Sequence, residues 1–343
     1  MKDFLLSLNM KACSVDPAVF YYLFDAKIEG IVCIHVDDIF WAGTSRFSEH
    51  VIKSIHVEFR VGSESAGTFK YIGLKIEGRV SSIVLSQYDY VNNLKEVSLS
   101  AERKMCRSSS LGTRELEEYR GVVGQLIWLA NQTRPEIAFD VCELSTHCHN
   151  ATVDDAINAN KVVRKVKSRL ISLEFHQLED LSQLSIECYC DASFGNLSGG
   201  GSQGSYLIFI TDSRGRRNIL SWQSKKVRRV VKSTLAAETL ALLDGVEASI
   251  LFSSIIAEVL NLGENRPIVK CYVDNRSLVE AVYSTKVLED KLLRINMAVL
   301  RDLLSRRELH EIIWVQTSCQ LADALTKRGA NAEPLLEAVS NRH

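Results

Sequence analysis

The chain has 343 residues, 46% hydrophobic and 24% charged, with a formal net charge of −1. Single cores stop growing at ~250–300 residues, so about two globular domains are expected, and the composition excludes a disordered or fibrous chain. No apolar run in the sequence approaches the ~20 residues that span a bilayer, and the opening MKDFLLSLNM is too short an apolar stretch for a secretory leader. A soluble protein without a membrane partner is expected, in the cytoplasm or alternatively the nucleus. The nine cysteines include no Cys-x-x-Cys pair, which argues against a disulfide framework or a zinc ribbon. Cys142, His147, Cys148 and His149 match no structural zinc spacing and read as the end of a helix.

In chain order, IVCIHVDDIFWAG reads as two β-rich arms around Asp37-Asp38, a hairpin with acids at its tip. A helix is expected over 48–59. GTFKYIGLKIEG and SSIVLSQ then read as short paired strands, 87–96 as helical, and 101–115 as a polar linker. Residues 116–170 read as mostly helical, broken at Thr133-Arg134-Pro135, because proline disfavours helix in the residue before it. Val162, Val163, Val166 and Leu170 recur there at helical spacing.

The second half changes character. LSIECYCDAS, SYLIFITD and NILSWQSKK read as three strands, with Gly199-Gly200-Gly201 and Arg214-Gly215 at the turns. Ser233-Thr234 opens a long helical pattern with a serine suited to the N-cap. VKCYVDN reads as a fourth strand. Leu288, Leu292, Ile295, Val299 and Leu303 trace one face of a further helix. LHEIIWVQT is a fifth strand and LADALTKRG a short closing helix. The order βββαβαβα predicts an α/β fold, a mixed five-stranded sheet with flanking helices.

Four acids take informative places in this pattern. Asp191 ends the first strand and Asp274 the fourth; Glu238 lies one turn inside the long helix, and Asp323 starts the last. Any one alone is more simply a turn, cap or solvated residue. If the first and fourth strands are neighbours, however, their ends bring two acids to one sheet edge, and the helices could then supply the other two. Gathered carboxylates resist ionisation unless cations neutralise them, and hard oxygen ligands suit magnesium. Two ions ~3.5–4 Å apart would clamp an in-line displacement at phosphorus. Manganese is the alternative metal. Arg214, Arg216, Arg217, Lys225, Lys226, Arg228, Arg229 and Lys232 run without an intervening acid and suit either phosphate contact or a solvated surface.

These motifs resemble the C-terminal part of a copia-type retrotransposon Pol polyprotein. IECYCDASFG, KSTLAAETLAL, CYVDNRSLVEAV and WVQTSCQLADALTK are similar to that family's ribonuclease H landmarks. The resemblance implies metal-binding and catalytic roles for Asp191, Glu238, Asp274 and Asp323, and cleavage of the RNA strand of an RNA/DNA hybrid. It makes Trp222, Lys225 and Lys226 candidates for holding the nucleic-acid backbone. Asn275 is equally open to minor-groove contact and to capping the next helix.

VDPAVFYY, HVDDIFWAG, FKYIGLKI, LSQYDYV and YRGVVGQLIWLANQTRPEIAFDV resemble successive reverse-transcriptase landmarks from palm through thumb to connection. The implied layout is a truncated palm and start of thumb at 1–100, a helical region at 101–180, a ribonuclease H-like domain at 181–330 and a tail at 331–343. Asp37 and Asp38 match the palm's paired aspartates, but the sequence starts after the strand that would carry the third. DNA polymerisation by this chain unaided is therefore not expected. Two other readings stay open: a non-catalytic nucleic-acid-binding remnant, and a fragment of a full RNA-directed DNA polymerase. Other parts of the polyprotein are further candidate partners.

Overall fold

The apolar, β-rich runs VFYYLF and KIEGIVCIH build the first of three sheets in a computed structural model that describes residues 1–284 and 289–340. After α1 (Lys2–Ser7), the strands β1 (Lys11–Ala12), β2 (Val19–Phe24), β3 (Lys27–His35) and β4 (Asp38–Gly43) form an antiparallel meander. His35 pairs with Asp38, leaving Val36 and Asp37 as the turn of the expected hairpin. Val36 takes the left-handed conformation there, φ 53°, unusual for a β-branched residue. α2 (Ser45–Phe47), a π-helical stretch (Ser48–Ile52) and α3 (Lys53–Glu58) follow, and Phe47 packs onto the bare backbone of Gly30 and Gly43.

The second sheet, β5 (Thr68–Tyr71), β6 (Leu74–Gly78), β7 (Ser82–Ser86) and β8 (Ser172–His176), is also antiparallel. Between β7 and β8 lie α4 (Tyr88–Asn93), α5 (Ala101–Met105), α6 (Thr113–Gln132), α7 (Ala138–Thr146) and α8 (Val153–Ser168). The segment 101–115 is more than a linker. It carries α5, and Arg103 pairs with Glu115 at 2.7 Å and with the Ser109 hydroxyl at 3.0 Å. The break before Pro135 occurs as expected. It holds a buried ion pair, Arg134 Nε to Glu136 Oε1 at 2.6 Å, with Arg134 also donating to the Val166 carbonyl.

The third sheet comprises β9 (Ser185–Ser193), β10 (Gln203–Thr211), β11 (Arg217–Lys226), β12 (Ile268–Val273) and β13 (Glu311–Trp314), in the spatial order β11-β10-β9-β12-β13. β9, β12 and β13 run parallel and β10 antiparallel to its neighbours, the mixed sheet expected. Its helices are α9 (Thr234–Val259), α10 (Arg276–Tyr283), α11 (Lys291–Ser305) and α12 (Glu333–Ser340).

Four expectations need correction. Among the described residues two helices separate β12 from β13, where the order βββαβαβα had one. The closing helix at Asp323 is a single 3-10 turn, Asp323–Leu325, and the tail contains α12, which buries Leu335, Leu336 and Val339. On α11 the buried face is Leu293, Asn296, Met297 and Leu300, whereas Leu292, Ile295 and Val299 are exposed; Leu288 lies outside the described residues. The segment KLLRINMAVLRDLLS is apolar in both registers, so spacing alone does not choose between them. Lastly, α9 is 26 residues long and apolar enough by length and composition to span a bilayer. Here it lies across β9, β10 and β12 as their covering helix.

Hydrogen bonds join the first sheet to the end of α9. Ser14 donates through its backbone N–H and hydroxyl to Glu258, and Asn261 donates to the Ala26 carbonyl at 3.0 Å.

Candidate metal centre

Strand register brings the first two acids together. β9 and β12 pair in parallel with Tyr189 opposite Tyr272, so two residues further on Asp191 and Asp274 leave the same sheet edge side by side. Ser233 starts α9 by accepting a hydrogen bond from the Ala236 N–H at 3.2 Å, which places Glu238 in the helix's early turns above that edge. Ligand oxygens of Asp191, Glu238 and Asp274 all lie within 4.8 Å of one another. Asp191 and Glu238 are buried; Asp274 is partly exposed.

Burial dominates the electrostatics. It lifts the Asp191 carboxyl to about 6, with Asp274 and Asp323 adding to the rise and Lys327 and the Thr326 hydroxyl opposing it. Burial, then the charges of Asp191 and Asp274, lifts Glu238 to about 9. Glu238 Oε2 is buried without a hydrogen-bond partner among the described residues. An orphaned carboxylate oxygen facing two more carboxylates fits a divalent cation, which would satisfy it and offset the mutual repulsion. These three acids could hold such an ion.

Asp323, the fourth acid, is not part of that trio. Its Oδ1 accepts a hydrogen bond from Lys327 Nζ, which also lies 3.9 Å from Asp191 Oδ2. The Thr326 hydroxyl donates to the same Asp191 oxygen. Sequence reasoning missed Thr326 and Lys327; their signal was the spacing, three and four residues after Asp323, which returns both side chains to it across one turn.

The other expected residues fare unequally. Asn275 caps α10, its Oδ1 accepting from the Leu278 N–H at 3.1 Å. The Trp222 indole N–H donates to the Ala130 carbonyl at 2.8 Å, and its half-buried ring packs against the core. Lys225 is paired with Asp244 at 3.0 Å. Arg214 and Arg216 pair with Glu179, and Arg217 lies over the Phe209 ring. Lys226, Arg228, Arg229 and Lys232 are exposed and have no ion pair among the described residues. Asp37 and Asp38 stand exposed at their hairpin, and no third carboxylate closes on them among the described residues. Phe40 of that hairpin stacks on Tyr71 at 5.2 Å, joining the first sheet to the second. His147 bonds Asp155 at 2.7 Å just past the end of α7, consistent with a helix terminus.

No family model matches the chain. Two relatives from Arabidopsis thaliana do: the retrovirus-related Pol polyprotein from transposon RE2, 26% identical over 313 residues, and that from transposon RE1, 26% identical over 344. The homologues of this chain thus include retrovirus-related Pol polyproteins from transposons. The two matches cover 86% and 95% of the chain, which spans about a fifth of either relative, 20% and 22%. Among solved structures, a ribonuclease H1 isolated from compost by a metagenomic approach matches at 19% identity and a TM-score of 0.32, over 41% of this chain and 92% of that one.

Proposed function

We propose that residues 181–330 act as a ribonuclease H in a copia-type retroelement polyprotein, cleaving the RNA strand of an RNA/DNA hybrid with divalent metal ions, magnesium foremost. The observation that carries this reading is the convergence of Asp191, Glu238 and Asp274 from β9, α9 and β12 onto a space within 4.8 Å. Magnesium bound there would supply a Lewis acid and would lower the pKa of a water molecule. The carboxylates would hold and orient the ion, with Glu238 giving up on binding the proton that burial otherwise lets it keep. No nucleophilic side chain is required. The unpaired cations Lys226, Arg228, Arg229 and Lys232 lie on the segment that leads into α9, where phosphate contact would position the substrate without reading its sequence.

The test is a labelled RNA/DNA hybrid offered to the purified chain with magnesium, beside Asp191→Asn and Asp274→Asn. Cleavage by the parent that falls a hundredfold or so in both variants supports the proposal. A folded parent that binds hybrid without cutting it would favour the non-catalytic reading instead. Equal cutting by parent and variants would place the chemistry elsewhere.

A further inference from the structure

Lys327 puts a positive charge inside the acidic cluster. Its Nζ hydrogen-bonds Asp323 Oδ1 and lies 3.9 Å from Asp191 Oδ2, so one ammonium bridges two of the four acids. Asp191 thereby meets Glu238 and Asp274 in the space that suits a divalent ion and shares Lys327 with Asp323, while the ammonium also feels the charges of Glu238 and Asp274. Two residues hold this second arrangement in place: the Thr326 hydroxyl donates to Asp191, and the Thr326 N–H closes the turn onto the Asp323 carbonyl at 3.1 Å. The lysine is not locked in. Its side chain is 40% exposed, and a flexible four-carbon stem allows the ammonium to leave toward solvent.

We propose that Lys327 is an internal counter-ion that holds the place of a second divalent cation between Asp191 and Asp323, so that this second ion binds only when the ammonium swings out. The inference rests on the metal-centre reading above and adds an order to it. The first ion is taken by Asp191, Glu238 and Asp274, and the second site opens by exchange of a side-chain charge for a metal charge. An arriving phosphodiester, itself anionic, offers the displaced ammonium a new partner. Lys327 is on this account a positioning residue that sets how many ions the free protein carries.

The experiment is a manganese titration of the full chain without nucleic acid, by calorimetry and by electron paramagnetic resonance of the free ion. The parent is expected to bind one ion well and a second weakly. Lys327→Met, which keeps the stem and removes the charge, should tighten the second step about tenfold or more, because a charge beside the site no longer opposes the ion. Lys327→Arg should behave as the parent, and adding Asp323→Asn to Lys327→Met should abolish the gain. A second step that is unchanged or weaker in Lys327→Met would overturn the inference while leaving the proposed function intact. Absence of any manganese binding in both parent and Lys327→Met would overturn both.

Discussion

Gly245 of α9 lies so close to Cys190 of β9 that a Cβ on the glycine would come within 2.5 Å of the Cys190 sulfur and 2.8 Å of the Cys188 sulfur. This approach seats the helix on the sheet two turns beyond Glu238, and so sets the height of that carboxylate above Asp191. Gly245→Ala is expected to destabilise the protein by about 1–3 kcal/mol through overpacking, although alanine is the better helix former. Manganese affinity should fall with it, because the helix must lift. The contrasting substitution is Gly124→Ala in α6, where a Cβ would meet nothing within 4 Å; there a gain of roughly 0.5–1 kcal/mol is expected. Thermal denaturation of the two variants reads both signs.

The acidic centre predicts how stability follows pH. Asp191 and Glu238 ionise near 3.8 and 4.5 when unfolded but near about 6 and about 9 in the metal-free fold. Between those values the folded state binds more protons than the unfolded one, so stability falls as pH rises from the unfolded values through the folded ones. A divalent ion displaces those protons and reverses the penalty. Magnesium should therefore raise the melting temperature by several degrees at about pH 8 and by less at about pH 6. Glu238→Gln should raise the metal-free melting temperature at about pH 8 by ~2–4 °C and blunt the magnesium response. Differential scanning fluorimetry across pH, with and without magnesium, checks each statement.

Arg134 and Glu136 form an ion pair in which both side chains are 2% exposed. Glu136→Gln leaves the guanidinium buried without its counter-charge and is expected to cost about 3–5 kcal/mol. Replacing Arg134 and Glu136 together by apolar residues of similar volume should cost much less. Chemical denaturation of the single and double variants measures the difference.

Trp222 and the basic segment beyond it should separate in their effects. Trp222→Phe removes the hydrogen bond to Ala130 and is expected to lower stability by about 0.5–1.5 kcal/mol with hybrid affinity unchanged. Arg228→Ala combined with Arg229→Ala should leave stability unchanged, weaken hybrid binding and reduce the slope of log affinity against log salt by ~1–2. Fluorescence anisotropy at several salt concentrations distinguishes these outcomes.

Much of the centre was legible in the primary structure because its acids sit where local rules are strong. Asp191 lies near the end of one β-rich run and Asp274 directly after another, and Ser233 announces the helix that carries Glu238 five residues later. The hairpin at Asp37 and the break at Pro135 were legible for the same reason. Less legible was any choice between two locally equivalent options. α11 offers apolar residues in two registers, and only packing against its neighbours selects Leu293, Met297 and Leu300 over Leu292, Ile295 and Val299. Trp222 looks like a ligand-facing aromatic until α6 arrives beside it to accept its N–H.

By itself, then, the order of residues determined the strands, the long helix and the place of each acid along them, because backbone preference and apolar spacing act over a few neighbouring residues, whereas the meeting of three of those acids needed β9 and β12 side by side. Tertiary structure alone decided that Lys225 faces Asp244, that Asn275 spends its carbonyl oxygen on a helix end, and that Lys327 stands between Asp191 and Asp323. Which charge neutralises which is settled by Coulomb attraction over a few ångströms, between groups that only the completed fold brings within reach.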